Sequence, residues 1–199
     1  LIAYGHAGLP VLVFPSSEGK ATDYEGFGMV ESLQPLIESG KLRLYCVDSY
    51  DSESWYGKHR PLHERAWRHT LYETWITDSA IPAIGRDVGD PKVRLVATGC
   101  SFGAYHSATF ALKHPKRFKH ALCMSGVYDI RFLLDGHHDD TVYFNNPIEF
   151  VPNMNGGTIE AFRKTFITLV CGQGAYEEKC LSSTREMWWE LRSKGIPNY

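Results

Sequence analysis

The chain has almost no net charge, since 21 basic residues against 23 acidic ones leave a formal charge of -2. So balanced a surface exerts no pull on nucleic acid or on an anionic bilayer, and neither is expected as a partner. The chain also lacks any uninterrupted apolar stretch of about twenty residues, the length a membrane-spanning helix needs. The opening Leu1-Ile2-Ala3-Tyr4-Gly5 lacks the charged, apolar and small-residue succession of a secretory leader. Cysteine is sparse and odd in number: Cys46, Cys100, Cys123, Cys171 and Cys180, with no Cys-x-x-Cys pair. A disulfide framework and a zinc site are therefore not expected, and a reducing, cytoplasmic setting is favoured. The cysteines read instead as small buried hydrophobes in or beside apolar runs. No repeat or low-complexity tract divides residues 1–199, which read as a single domain, and nothing in the inventory asks for a cofactor.

Apolar runs at 10–14, 42–47, 93–98, 121–124 and 166–171 read as strands. Helical periodicity appears between them, at 27–37, 61–84, 104–113 and 178–193. In the long helix over 61–84, Trp67, Leu71, Trp75 and Ile76 are assigned to the core side, with Arg65, Arg68 and Glu73 largely elsewhere. Strands alternating with helices predict βαβ units, a mostly parallel sheet, and ligands bound beyond the carboxyl ends of its strands. Residues 129–161 break this rhythm with Asp135-Gly136-His137-His138-Asp139-Asp140 and Asn153-Met154-Asn155-Gly156-Gly157. So long an excursion inside a compact domain predicts a cap or rim over a site.

The chemistry concentrates at Gly99-Cys100-Ser101-Phe102-Gly103. Glycines two before and two after a serine let a strand turn sharply into a helix and lift the hydroxyl clear of the backbone. The strand run before the motif and the helical run after it supply the context it requires, so Ser101 is the candidate nucleophile. A hydrolase of this topology takes one oxyanion-hole amide from the residue after the nucleophile, Phe102, and another from the loop after the first core strand. In Pro15-Ser16-Ser17-Glu18-Gly19 that residue is Ser17.

The acid belongs after a later strand, which points to Glu177 in Gly172-Gln173-Gly174-Ala175-Tyr176-Glu177-Glu178, with Asp129 as the alternative. The order serine, acid, histidine is not completed, because all nine histidines precede residue 139. His106 is expected to pack behind the nucleophile and His6 to lie at the far end of the sheet. His59, His63 and His69 are expected at a solvated rim. His137 and His138, with Asp139 and Asp140, could bind a metal or supply an unusual base. Trp55 and Tyr56 follow the second strand on the ligand side and are candidate substrate contacts.

With these segments in hand, the chain resembles the putative-esterase group of α/β-hydrolases, related to esterase D, enterochelin esterase and the mycolyltransferases. The matching stretches include Val11-Leu12-Val13-Phe14-Pro15, Cys46-Val47-Asp48-Ser49, Glu53-Ser54-Trp55-Tyr56, the serine motif, Val142-Tyr143-Phe144-Asn145-Asn146-Pro147 and Gly172-Gln173-Gly174. The resemblance implies a three-layer α/β-hydrolase-like sandwich with terminal strands missing, and ester chemistry through Ser101 and Glu177. In such relatives a further strand and a histidine loop would be expected past Tyr199, and one or two strands before Tyr4. A sheet without them would leave an edge strand and Trp188, Trp189 and Leu191 uncovered, which predicts a homodimer. The leading expectation is a serine carboxylic-ester hydrolase acting on acyl, aryl or polyester substrates, small or polymeric. The alternatives are a catalytically silent binding protein of the same fold and an acyltransferase.

Overall fold

The computed structural model describes residues 1–199. Six strands form one sheet: β1 (Ile2–Tyr4), β2 (Leu9–Phe14), β3 (Leu42–Cys46), β4 (Leu95–Cys100), β5 (Phe118–Met124) and β6 (Phe166–Val170). They lie in the order β1-β3-β2-β4-β5-β6, all parallel except β1, which runs antiparallel to β3. The order reverses at β2: the chain moves from it to β3 on one side and returns to β4 on the other. Such a switch point leaves a crevice outside the carboxyl ends of β2 and β4, where α/β sheets bind ligands.

Alternation along the strands explains the layers. Leu12, Phe14, Tyr45, Leu95 and Ala97 face one side and join a large core, while Val11, Val13, Leu44, Cys46 and Val96 face the other. The second face is covered by the short helices α1 (Asp23–Gly26), α2 (Met29–Ser32) and α3 (Gln34–Glu38), in place of the one continuous helix expected. The first is covered by α4 (Leu62–Trp75), α5 (Ile81–Asp87), α6 (Phe102–Lys113) and α10 (Glu178–Ser193). Helix α6 is buried on all sides from Phe102 to Leu112, as befits a helix apolar all round.

Four expectations need correcting. First, residues 61–84 are not one α-helix: a π-type turn over Ile76–Ala80 separates α4 from α5. Pro82, which has no N–H for an i−4 bond, accounts for the break. Second, the core face of α4 is the opposite one, since Arg65, Ala66, His69 and Tyr72 are buried while Trp67, Leu71 and Trp75 are 55%, 42% and 41% exposed; of the four residues assigned to the core only Ile76 is there. Arg65 is accommodated because its guanidinium donates to the carbonyls of Arg60 (3.0 Å) and Leu133 (3.3 Å). Third, only Cys46 and Cys123 are buried, and Cys100 is exposed. Fourth, Leu191 is buried in the core, although Trp189 is exposed.

The excursion is largely helical, with α7 (Asp140–Tyr143), α8 (Pro147–Asn153) and α9 (Gly156–Phe162). Ile148, Phe150, Val151, Ile159 and Phe162 join the main core, where α8 packs on α10. Residues Pro197–Tyr199 run beside β6, with Tyr199 N–H donating to the Ile167 carbonyl (3.1 Å) and Ile167 N–H to that of Pro197 (2.9 Å). No helix is long and apolar enough to cross a membrane.

Candidate active site

Ser101 stands between β4 and α6 with φ 57° and ψ -118°, a left-handed backbone that a residue with a Cβ seldom adopts. The flanking glycines make the turn possible. A Cβ on Gly99 would lie 2.6 Å from the Phe14 carbonyl oxygen, and one on Gly103 2.5 Å from that of Pro15. The end of β2 thus passes directly against the turn, bringing the 15–19 loop alongside the serine. Ser101 N–H is held by the Met124 carbonyl (2.9 Å), and the serine itself is half-buried. Phe102 opens α6, where its N–H has no i−4 carbonyl within the helix and is free to bind an acceptor that approaches Ser101.

Ser17 is half-buried on that neighbouring loop, and its hydroxyl donates to the Tyr56 hydroxyl (3.1 Å). The Tyr56 ring meets the Phe102 ring edge-on at 5.1 Å, so this tyrosine touches the side chains of both Ser17 and Phe102. Burial pushes the Tyr56 phenol up, which keeps it protonated as a hydrogen-bonding group. Trp55 does not join it. It is 0% exposed, packed with Ala66, Phe102 and Tyr105, so the expectation that it touches substrate is corrected: its large ring fills the space beneath the site.

Glu177 follows β6 and is brought toward Ser101 through Ser125. Ser125 N–H donates to the Val170 carbonyl (2.7 Å), and its hydroxyl donates in a short bond to Glu177 Oε1. The amides of Gly172 (3.3 Å) and Gly174 (3.2 Å) also donate to this carboxylate. The Ser125 bond, together with the two amides, holds the Glu177 carboxyl below its ordinary value. Asp129, the alternative acid, is occupied instead by Arg131, which reaches both its oxygens at 2.6–3.0 Å, and by Asn146 at 3.3 Å. Non-glycine residues with positive φ occur at Glu18, Ser101 and Ser125, just past the carboxyl ends of the adjacent strands β2, β4 and β5. Strain of this kind collects where a surrounding structure enforces a functional geometry.

Five of the nine histidines are paired elsewhere. His106 is fully buried and pairs through Nε2 with Asp51 (2.9 Å), while His114 meets Glu73 (2.7 Å) and His120 meets Thr168 (2.8 Å). His69, expected at the rim, is 1% exposed, stacked on His106 and tilted against Trp55, and burial drives it down to about 3. His59 and His63 are exposed. His137 meets Asp139 (3.0 Å) and His138 meets Glu149 (3.4 Å), and Asp139 also caps α7 through the Val142 amide (2.8 Å). No three His, Cys, Asp or Glu residues are grouped to hold a metal ion.

A family model described as "Putative esterase" matches residues 6–196. The chain belongs to the putative-esterase family. This esterase is accordingly a carboxylic-ester hydrolase by class, on an α/β-hydrolase fold. Among solved structures it is similar to a ferulic acid esterase, at 14% identity and TM-score 0.70 over 96% of this chain and 75% of that one. It is similar also to the S-formylglutathione hydrolase of Staphylococcus aureus, at 15% identity and TM-score 0.62 over 96% and 74%. The corresponding hydrolase of Agrobacterium tumefaciens shares 17% identity at TM-score 0.59 over 98% and 75%. At such identities these likenesses speak for the fold. No curated protein matches the esterase in sequence.

Proposed function

We propose that this esterase acts as a serine hydrolase through an acyl-enzyme, with Ser101 as nucleophile, Glu177 as the acid, and the amides of Ser17 and Phe102 as the oxyanion hole. The observation that carries the reading is the left-handed Ser101 locked between two glycines whose Cβ positions are already filled by backbone. The base in this scheme is an imidazole beside Glu177 that none of the chain's own nine histidines supplies and that a partner chain would bring; it takes the Ser101 proton as Oγ bonds to the ester carbonyl carbon. The two amides hold the resulting oxyanion. The proton then passes to the leaving alcohol, and water, activated the same way, releases the acid and restores Ser101.

The substrate we favour is a small acyl or aryl ester, with a polyester segment as the larger possibility. A cleft of about 560 Å³ between the loops that follow β5 and β6 is lined by Val127, Phe132, Tyr176, Lys179 and Cys180 among others; it reaches Tyr176 beside Glu177 but is not itself lined by Ser101 or Glu177, and in this reading it takes the part of the substrate away from the ester. Phe132 is 61% exposed and Tyr176 99%, so their rings are free to lie along a flat apolar group. In this reading the start of the excursion within one 1–199 domain forms the rim. We also infer a homodimer, because Phe166 and Val170 remain exposed on the sheet face opposite α6, and Trp189 on α10.

The test is turnover of p-nitrophenyl acetate and butyrate by wild type and Ser101→Ala, with a fluorophosphonate adduct read by intact mass. Turnover and a single adduct that both vanish in Ser101→Ala are expected. Equal rates for the two proteins, with no adduct, would refute the assignment. Because none of the nine histidines pairs with Glu177, an adduct without turnover would mark a site that acylates and then waits for its base.

A further inference from the structure

The loop that follows β2 is tied to the segment that follows β3 at four successive points. The Ala21 amide donates to Asp48 Oδ1 (2.9 Å), and the Ser49 amide donates to the Gly19 carbonyl (3.0 Å). The Glu18 amide donates to Asp51 Oδ2 (3.2 Å), and Ser17 Oγ donates to the Tyr56 hydroxyl (3.1 Å). Of these ties the one through Asp51 reaches furthest. Its Oδ1 meets His106 Nε2 at 2.9 Å, and both side chains are 1% exposed. His106 lies on α6, five residues beyond Ser101. One buried carboxylate therefore connects the helix of the nucleophile to the loop carrying the second oxyanion amide.

We propose that Asp51 and His106 are positioning residues, which fix the Ser17–Glu18 amides relative to Ser101 and so set the geometry of the oxyanion hole. The inference rests on assigning Ser17 and Phe102 to that hole. Stability alone does not explain the pair. A buried charge is expensive, and apolar side chains of similar volume would commonly serve the core as well. The bond goes instead to Glu18, whose φ of 57° needs outside support to persist. Burial pushes the Asp51 carboxyl up, yet His106, Ser49 and the Glu18 amide together hold it below its ordinary value, so it stays an acceptor. His106 cannot touch substrate: its ring is enclosed by Phe14, Tyr72, Phe102 and Phe110, and its Nδ1 has no partner.

The experiment compares wild type with Asp51→Ala, His106→Leu and His106→Gln. It reads the rate of fluorophosphonate addition at Ser101 and amide hydrogen exchange over residues 15–21. Glutamine offers a donor near the Nε2 position, whereas leucine offers similar bulk and no donor. Asp51→Ala and His106→Leu are expected to slow addition by about 10²-fold, the usual consequence of an ångström-scale misplacement, and to speed exchange in the loop. His106→Gln is expected to recover most of both. Leucine and glutamine behaving alike, or Asp51→Ala reacting at the wild-type rate, would overturn the proposal. Asp51→Ala keeps the test decisive should His106→Leu fail to fold. Wild type taking no phosphonate at Ser101 would sink the hydrolase reading instead, and the exchange arm alone would then decide whether the pair holds the loop.

Discussion

Replacing Gly103 with alanine would place a methyl carbon 2.5 Å from the Pro15 carbonyl oxygen and closer still to that of Phe14. Both oxygens belong to backbone that cannot rotate away, so α6 or the end of β2 must move by about 1 Å to restore an ordinary contact. On helix propensity alone the exchange would stabilise α6 by about 1 kcal/mol. Overpacking of this kind costs about 1–3 kcal/mol, and here it acts on main chain, so the expected sign is destabilisation. In a chain of this length each kcal/mol lowers Tm by about 2–4 °C. The displaced segment leads into the 15–19 loop, and an ångström there is expected to cost about 10²-fold in fluorophosphonate addition at Ser101. The control is Gly26→Ala, whose new methyl would meet nothing within 4 Å. It is expected to melt and react like wild type. Gly103→Ala melting at or above the wild-type temperature with unchanged labelling would refute the argument from close backbone approach.

Three further outcomes follow from the same structure. Burial pushes the Glu73 carboxyl up, but His114 (2.7 Å) and Lys113 (2.5 Å) overcome this and bring it down to about 2. A depressed carboxyl contributes stability that is complete above its unfolded value and is lost as pH falls through the folded one. Glu73→Gln should therefore cost about 3 kcal/mol near pH 7, with the gap to wild type closing between pH 4.5 and about 2 in denaturant titrations. Iodoacetamide on the native protein should modify exposed Cys100 well before Cys46 and Cys123, both pushed up to about 12 by burial; peptide mapping that found Cys123 first would contradict the packing. Light scattering at micromolar concentration should give twice the chain mass, and a clean monomer would count against the homodimer.

The elbow is legible in the sequence because its requirements are local. Two glycines, a serine and an apolar run before them leave few other structures for that stretch, and a mostly parallel sheet then follows from the alternation of strands with helices. The face of α4 is not legible, because hydropathy ranks tryptophan and leucine above histidine and arginine. His69 is buried among the aromatic rings of Trp55 and Tyr105, and Arg65 is buried because its guanidinium reaches the Leu133 carbonyl, partners that lie far along the chain or on other elements. Strand β1 is hidden for a different reason: three residues at a sheet edge carry no period to read, and its pairing with Leu44–Cys46 is entirely non-local. The helices of the excursion are masked by Asn, Gly and Asp, which here serve as turns and caps between short apolar segments. Trp55 and Tyr56 show the limit of placement by neighbourhood. Both lie past the same strand, yet one is sealed beneath the site and the other bonds to Ser17.

The three left-handed residues at the mouths of β2, β4 and β5 also bear on how this esterase would respond to selection for heat resistance. Each stores about 1–2 kcal/mol that glycine would release, less the entropy glycine adds to the unfolded chain. A screen for thermal tolerance should therefore enrich Glu18→Gly and Ser125→Gly. Ser125→Gly would remove the hydroxyl that holds Glu177, and Glu18→Gly, while keeping the amide bond to Asp51, would widen the backbone freedom of the loop beside Ser17. Heat tolerance and ester turnover are thus set against each other at the same two positions, and selecting for both at once should leave glycine out of them.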